Sequence, residues 1–477
     1  MIVLALVLLP ILAGIIMLLI PAREENPVLA KGAGTVIALI EFALALGARD
    51  SEFSLRPWLS RPFESSFHFG ATGISFWIVL LLAVVTFSAI LAMSVPRQRQ
   101  FVAQMLLLEG TMMGVFLAKD LLLFALFWDL MLLPVFFGLL GWGEHPATAW
   151  RYFIYNFAGG LALLLATATF GVLFGSTDVI GRTDVHVVGS WVPWIFIGFA
   201  FAFLVKTPVW PLHTWMPPTY SNTPPPMVAV VSAVQSKAGL YGLIVICMAF
   251  MPDYLKAYAG VLIVLGVISL LYGAVVSLVQ NDTKRIVAYS SLSHLGLIVV
   301  AICSFNAIAL QGALIYIIAH GLFSAGMFLT LGYVEAREDT RSLVRLGGLG
   351  AVNPKLAGAL CITSLAALGL PGLAGFVGEI VILTGVFQAG FIWVTILALI
   401  PIVIAAAYML RLFQGVMNGP EVEDLPVRRD LTWLEGIALA PIVLALVVLG
   451  VNPHALTTFD PAQYNATQTQ VAQGVAR

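Results

Sequence analysis

FLVKTPVWPLHTW (Phe203–Trp215) and LGLPGLAGFVGEIVIL (Leu368–Leu383) each set one ionisable side chain, Lys206 or Glu379, inside a long apolar run beside proline. A charge at the centre of a bilayer costs roughly 2.5 to 3.5 kcal/mol on insertion scales, so such a residue persists where it works or finds a partner. Proline and glycine breaks free backbone groups that can line a polar path. The two stretches point to a transporter whose ion path crosses two broken helices.

The rest of the chain agrees with a membrane setting. It is 60% apolar and 10% charged, where soluble domains run about 25% charged. A net charge of −1 carries no nucleic-acid signal. Cys247, Cys303 and Cys361 lie far apart in apolar runs, without metal-site spacing. Met1 to Ile20 lacks a basic start and reads as an uncleaved first spanning helix. Apolar segments long enough to span fall at 2–20, 29–47, 72–95, 101–118, 120–141, 151–175, 191–218, 227–250, 257–280, 285–304, 307–333, 355–388, 391–412 and 433–451. The expectation is an all-α polytopic membrane protein of about fourteen helices with both termini on one side. With the termini outside, fourteen of the 23 Lys and Arg fall on the cytoplasmic loops, seven on the opposite side and two in the membrane. The positive-inside rule favours that orientation.

The broken segments are the seventh and the twelfth, five apart. That spacing predicts two inverted five-helix repeats, segments 4–8 and 9–13, which would open half-channels to opposite sides. The organisation read from this is an N-terminal three-helix segment at 1–100, a first repeat at 101–250, a second at 254–412, and a last helix with its tail at 413–477. The longest polar stretches, near 48–71, 335–355 and 413–431, are too short to bury a core of their own. Function has to come from the helices.

Their buried polar residues form a series: Glu109, Asp129, Lys206, His213, Lys237, His294, His320 and Glu379. Each has a plainer reading. Asp129 and Lys206 can pair only to lower the cost of insertion, and Glu109 can sit near a surface. The three histidines admit hydrogen-bonded packing as readily as proton relay. Lys237, deep in an apolar helix with no acid adjacent in sequence, has the weakest plain reading. Trp215 reads as an interface anchor, and Phe124, Phe127 and Trp128 as lipid-facing or packing residues. Ser290, Ser291 and Ser293 can hold water in a path or satisfy helix backbone with equal ease.

FWDLMLLP, LVKTPVWPLHTWMP, QSKAGLYG, NDTKRIVAYSSLSHLG, HGLFSAGMFLTLG and LGLPGLAGFVGEIVIL, in this order over roughly residues 100–415, resemble the antiporter-like subunits of respiratory complex I. Within that family the chain is most similar to the M-type branch, whose mitochondrial counterpart is chain 4. The L-type and N-type branches resemble this pattern with lysine where Glu379 stands, and with lysine at the place of Ser324. The chain also ends soon after its fourteenth segment, without the long lateral helix of L-type subunits. The resemblance implies that Asp129, a departure from the family's usual glutamate, pairs with Lys206, that Lys237 lies centrally and that Glu379 serves the exit. It further implies a bacterial inner-membrane location with periplasmic termini, and a hetero-oligomer with L-type and N-type chains. No cofactor is expected in this chain; NADH, FMN, iron–sulfur clusters and quinone are expected in partner subunits.

A lysine beside a carboxylate holds its proton, and one left alone in a dry site gives it up. Opening the Asp129–Lys206 contact would therefore release a proton. Quinone reduction elsewhere would then drive protons past Lys206, Lys237 and His320 to Glu379. Two other readings share much of this pattern: the D-type subunit of a multi-subunit cation/proton antiporter, and the membrane arm of a hydrogenase-type complex.

Overall fold

The computed structural model describes residues 1–20, 26–92, 94–182, 187, 189–419 and 429–457. Twelve helices among these are long and apolar enough to cross a bilayer: α1 (Ile2–Leu19), α2 (Pro27–Leu46), α3 (Ile74–Ala92), α4 (Gln98–Leu117), α5 (Leu121–Trp142), α6 (Pro146–Phe174), α9 (Pro225–Met248), α10 (Pro252–Val279), α11 (Thr283–Cys303), α12 (Ala307–Glu338), α15 (Ile392–Met417) and α16 (Trp433–Val451). Two further passes are each split in two. They are α7 (Val192–Lys206) with α8 (Met216–Asn222), and α13 (Pro354–Ala367) with α14 (Ala374–Gln388).

Local chemistry explains where these helices begin. The side chains of Asn26, Asp120, Asp282, Asn306 and Thr432 accept hydrogen bonds from first-turn amides of α2, α5, α11, α12 and α16. Proline stands in the first turn of α2, α6, α7, α9, α10 and α13, where no amide is needed. The same residue breaks the seventh pass, since Pro208 and Pro211 cannot continue the ladder beyond Lys206. The freed backbone finds partners: Trp210 N donates to Ser269 Oγ at 2.8 Å, and Trp215 Nε1 donates to Val205 O at 2.9 Å. Trp215 is therefore a buried brace across the break, and the interface anchor read from sequence is corrected. In the twelfth pass Gly369 and Gly372 take positive φ of 77° and 94° in the turn between α13 and α14.

The apolar spans of α9 and α12 are wholly buried, whereas α1, α2, α15 and α16 leave most of their surface outside the bundle. The most enclosed part of the molecule is therefore where α9 meets α12. α9 is also irregular, with π-helical turns at Val231–Gln235 and Leu243–Met248 on either side of Lys237. An antiparallel hairpin of β1 (Glu52–Leu59) and β2 (Ser65–Gly70), unread in the sequence, covers one end of the bundle. Asp120 holds it by accepting from Ser66 N at 2.9 Å and Ser65 Oγ at 3.1 Å.

Candidate functional site

Asp129 lies just before Met131, the turn that divides α5. It rests on α6 at Gly160, where a Cβ would stand 1.8 Å from Oδ1. Lys206, the last residue of α7, is buried, with Nζ 5.2 Å from the centroid of the Trp128 ring. Nζ has no hydrogen-bond partner among the described residues and senses Asp129 only as a nearby charge. The expected pair is thus electrostatic without contact, as an acid one methylene shorter than glutamate would give. Trp128, read as packing, also supplies a cation–π face.

Lys237 begins the helical turn after the first π-helical stretch. That bulge leaves the Ser232 carbonyl to accept from Nζ. Nζ also lies 2.7 Å from His320 Nδ1 on α12. Further along, Tyr316 Oη donates to Glu379 Oε1 at 2.5 Å and lies 2.6 Å from His294 Nδ1. The partners assign the tautomers. With Lys237 as an ammonium, which only donates, His320 accepts at Nδ1 and carries its proton on Nε2. Tyr316 gives its proton to the carboxylate, so His294 donates from Nδ1 and is left with a lone pair on Nε2. Neither of these two Nε2 atoms has a partner among the described residues. The two imidazoles have centroids 5.6 Å apart. In that protonation state every donor points the same way, from Lys237 through His320, His294 and Tyr316 to Glu379, with one junction between the rings. Phe323 packs edge-on against both imidazoles, 5.0 Å from His320 and 5.4 Å from His294.

Glu379 is buried on α14, and Gly369 of the break approaches it so closely that a Cβ would stand 2.2 Å from Oε2. Ser324 donates to Ser232 Oγ at 2.8 Å, beside the lysine. Four of the eight predicted residues therefore meet in one line, and Lys206 with Asp129 forms a separate group. His213 stands apart in the first break, edge-on to Tyr272 at 5.2 Å, and Glu109 lies buried on α4. Ser290 and Ser293 bond backbone carbonyls, of Val287 and Leu270. Tyr316 was missed. Its one signal is position: Tyr316, His320 and Ser324 recur every four residues and so share a face of α12.

On one end of the bundle a polar cavity of about 570 Å³ is lined by Glu144, Asp282, Arg285, Glu335 and Arg341. Arg341 joins Glu144 and Asp282 at 2.7 Å each, and Lys284 meets Glu335 at 2.7 Å. Among the described residues no cluster of three or more His, Cys, Asp or Glu could hold a metal.

The family model described as NADH:quinone oxidoreductase/Mrp antiporter, transmembrane, matches residues 118–405. The NADH-quinone oxidoreductase subunit M of Mycobacterium tuberculosis is 30% identical, over 98% of this chain and 94% of its own. A chain of respiratory complex I from Thermus thermophilus, solved with bound NADH, is 29% identical, with a TM-score of 0.88 and 98% of each chain covered. A chain of the Mrp complex from Dietzia sp. DQ12-45-1b shares the fold at a TM-score of 0.88 and 18% identity, covering 100% of this chain and 99% of its own.

Proposed function

We propose that this chain, which belongs to the NADH:quinone oxidoreductase/Mrp antiporter transmembrane family, is the proton-translocating subunit M of a bacterial NADH:quinone oxidoreductase. It acts as part of a translocase, with redox chemistry on NADH, FMN, iron–sulfur clusters and quinone in partner subunits. It sits in the inner membrane beside L-type and N-type chains with its termini outside. In this reading residues 101–250 and 254–412 are the inverted repeats.

One observation carries the proposal: Lys237, His320, His294, Tyr316 and Glu379 lie in one line of polar contacts, open only between the two imidazoles, through the most enclosed part of the bundle. A lysine ammonium can feed such a line because its Nζ already stands 2.7 Å from the first acceptor, His320 Nδ1. Lys206 and Asp129 act before it, as the charge pair whose separation would prompt release. The line ends on a carboxylate where sister branches have lysine, and an acid accepts a proton from a tyrosine that a lysine's ammonium could not take.

The test is NADH-driven proton uptake in inverted vesicles carrying Lys237→Ala, with NADH–ferricyanide activity as the assembly control. Loss of uptake and of quinone reductase activity, with ferricyanide activity intact, is expected. Uptake at the wild-type rate would overturn the reading. Cation-driven proton exchange without NADH would instead favour a stand-alone antiporter.

A further inference from the structure

The line leaves two buried acids unused. Glu41 on α2 and Glu109 on α4 are both at 0% exposure. Their neighbourhood follows from helix register. α2 and α4 are alternate passes and run parallel. Gly34 meets Val102, where a Cβ would stand 2.4 Å from Cγ1. Seven residues on, two turns along both helices, Glu41 comes level with Glu109. The two carboxyls sense each other's charge.

None of the four carboxyl oxygens has a hydrogen-bond partner among the described residues. Nor do the described residues of the packing helices supply a counter-charge: α9 touches α4 where Tyr241 Oη donates to Phe116 O, but its Lys237 is engaged with Ser232 O and His320 Nδ1. α1 and α3, which pack on these helices, contain no Lys, Arg or His. The basic residues on α2 and α4 themselves, Lys31 and Arg99, are each ten positions away, about 15 Å along the axis. Asp129 on α5 lies against Gly160 of α6 and adds only negative charge. Thr86 on α3, also fully buried with an unpartnered hydroxyl, stands near this level, since Ile90 of the antiparallel α3 meets Gly34. Pro10 of α1 packs beside Glu109, at Gly110.

An isolated carboxylate in a dry interior costs several kcal/mol, and a neighbouring like charge adds to that cost. We propose that Glu41 and Glu109 form a proton-binding site separate from the Lys237–Glu379 line, the two carboxyls together holding at least one proton at neutral pH. No hydrogen bond among the described residues joins this site to the line, so it stores a proton rather than conducts one.

Infrared spectroscopy of membranes carrying the assembled complex tests this directly, because the carbonyl stretch of a protonated carboxyl is separate from the carboxylate bands. Wild type is compared at neutral pH with the double variant E41Q/E109Q, with NADH–ferricyanide activity as the assembly control. The expected difference spectrum contains at least one protonated-carboxyl band that shifts on exchange into heavy water. A difference made up only of carboxylate bands would overturn the proposal. If the double variant does not assemble, E41L/E109L takes its place, since apolar replacement of buried ionisable groups is commonly tolerated. The readout is independent of the proposed function, because it reports protonation whether or not the chain pumps.

Discussion

Tyr316→Phe removes one oxygen from the line and little else. The ring keeps its place between His294 and Phe323, with centroids at 5.8 and 6.3 Å. What is lost is the hydroxyl that bridges His294 Nδ1 at 2.6 Å and Glu379 Oε1 at 2.5 Å. Without it the nearest approach of imidazole and carboxylate is 3.8 Å, too long for a direct hydrogen bond. A hydrogen bond to a charged group is worth roughly 1.5 to 3 kcal/mol. If that stabilisation is lost in the transfer step, the step slows by about tenfold to a hundredfold. The assay is NADH-driven acidification of inverted vesicles, normalised to NADH–ferricyanide activity, with thermal stability measured in parallel. Uptake within about twofold of wild type, at unchanged stability, would refute Tyr316 as a link, since about 0.4 kcal/mol is then all it contributes.

Three further changes have distinct signatures. Gly369→Ala forces a side chain onto a backbone at φ 77° and against Glu379 Oε2; the conformation alone costs roughly 1 to 2 kcal/mol, so melting temperature and proton uptake should both fall, and a variant as stable as wild type would count against the close approach. Phe323→Ala leaves room beside both imidazoles for a water and costs roughly 3 to 5 kcal/mol of stability; it should speed the passive collapse of an imposed pH gradient, and an unchanged leak would exclude the ring as a gate. At the hairpin, burial alone would push the Asp178 carboxyl up, but His68 at 2.7 Å and Arg56 at 2.7 Å hold it below the usual carboxylate range. The depressed folded value means its stabilisation is complete above about pH 4 and is lost as pH falls through the folded value. Amide exchange of the hairpin, corrected for intrinsic rates, should therefore rise on acidification, and Asp178→Asn should abolish that dependence.

The helices were legible because length and apolarity suffice to mark a membrane pass, and the two breaks because proline there stands beside an ionisable residue, whereas Pro10, Pro401 and Pro441 are carried inside unbroken α1, α15 and α16. Lys237, His294, His320 and Glu379 were legible for a related reason: a polar group in an apolar helix is costly wherever it points. Tyr316 hid because a tyrosine is at home in an apolar helix, and only a neighbour on another helix turns its hydroxyl into a bridge. Trp215 was misread and Trp128 read only in part by the same limit: the packing of Trp128 holds, but an indole's polar or cationic partner, Val205 O or Lys206, shows only once the helices are in place. Glu41 escaped because one acid in the second helix has an obvious surface reading, which the register against α4 removes. Contact between Asp129 and Lys206 was beyond sequence altogether. It turns on one methylene and on how closely α5 approaches α7.

The proposed path also explains why a lysine and a glutamate stand at its two ends. A proton leaving Lys237 and arriving at Glu379 converts a buried cation and a buried anion into two neutral groups, with no change in net charge between the ends. Each buried ion costs several kcal/mol, offset by whatever attraction it finds. The charged and neutral forms of the line therefore differ by a small remainder of large terms, and a modest field can choose between them. One elementary charge moved through 100 mV corresponds to about 2.3 kcal/mol, and in the proposed scheme the field comes from the Lys206 charge, which has no hydrogen-bond partner among the described residues and feels Asp129 as a nearby charge. In the proposed path such a bias acts at the junction between His320 and His294, the one step of the line that no hydrogen bond among the described residues closes. A line hydrogen-bonded throughout would leak; one interrupted between two oriented imidazoles, with Phe323 against both, conducts only when the junction is bridged.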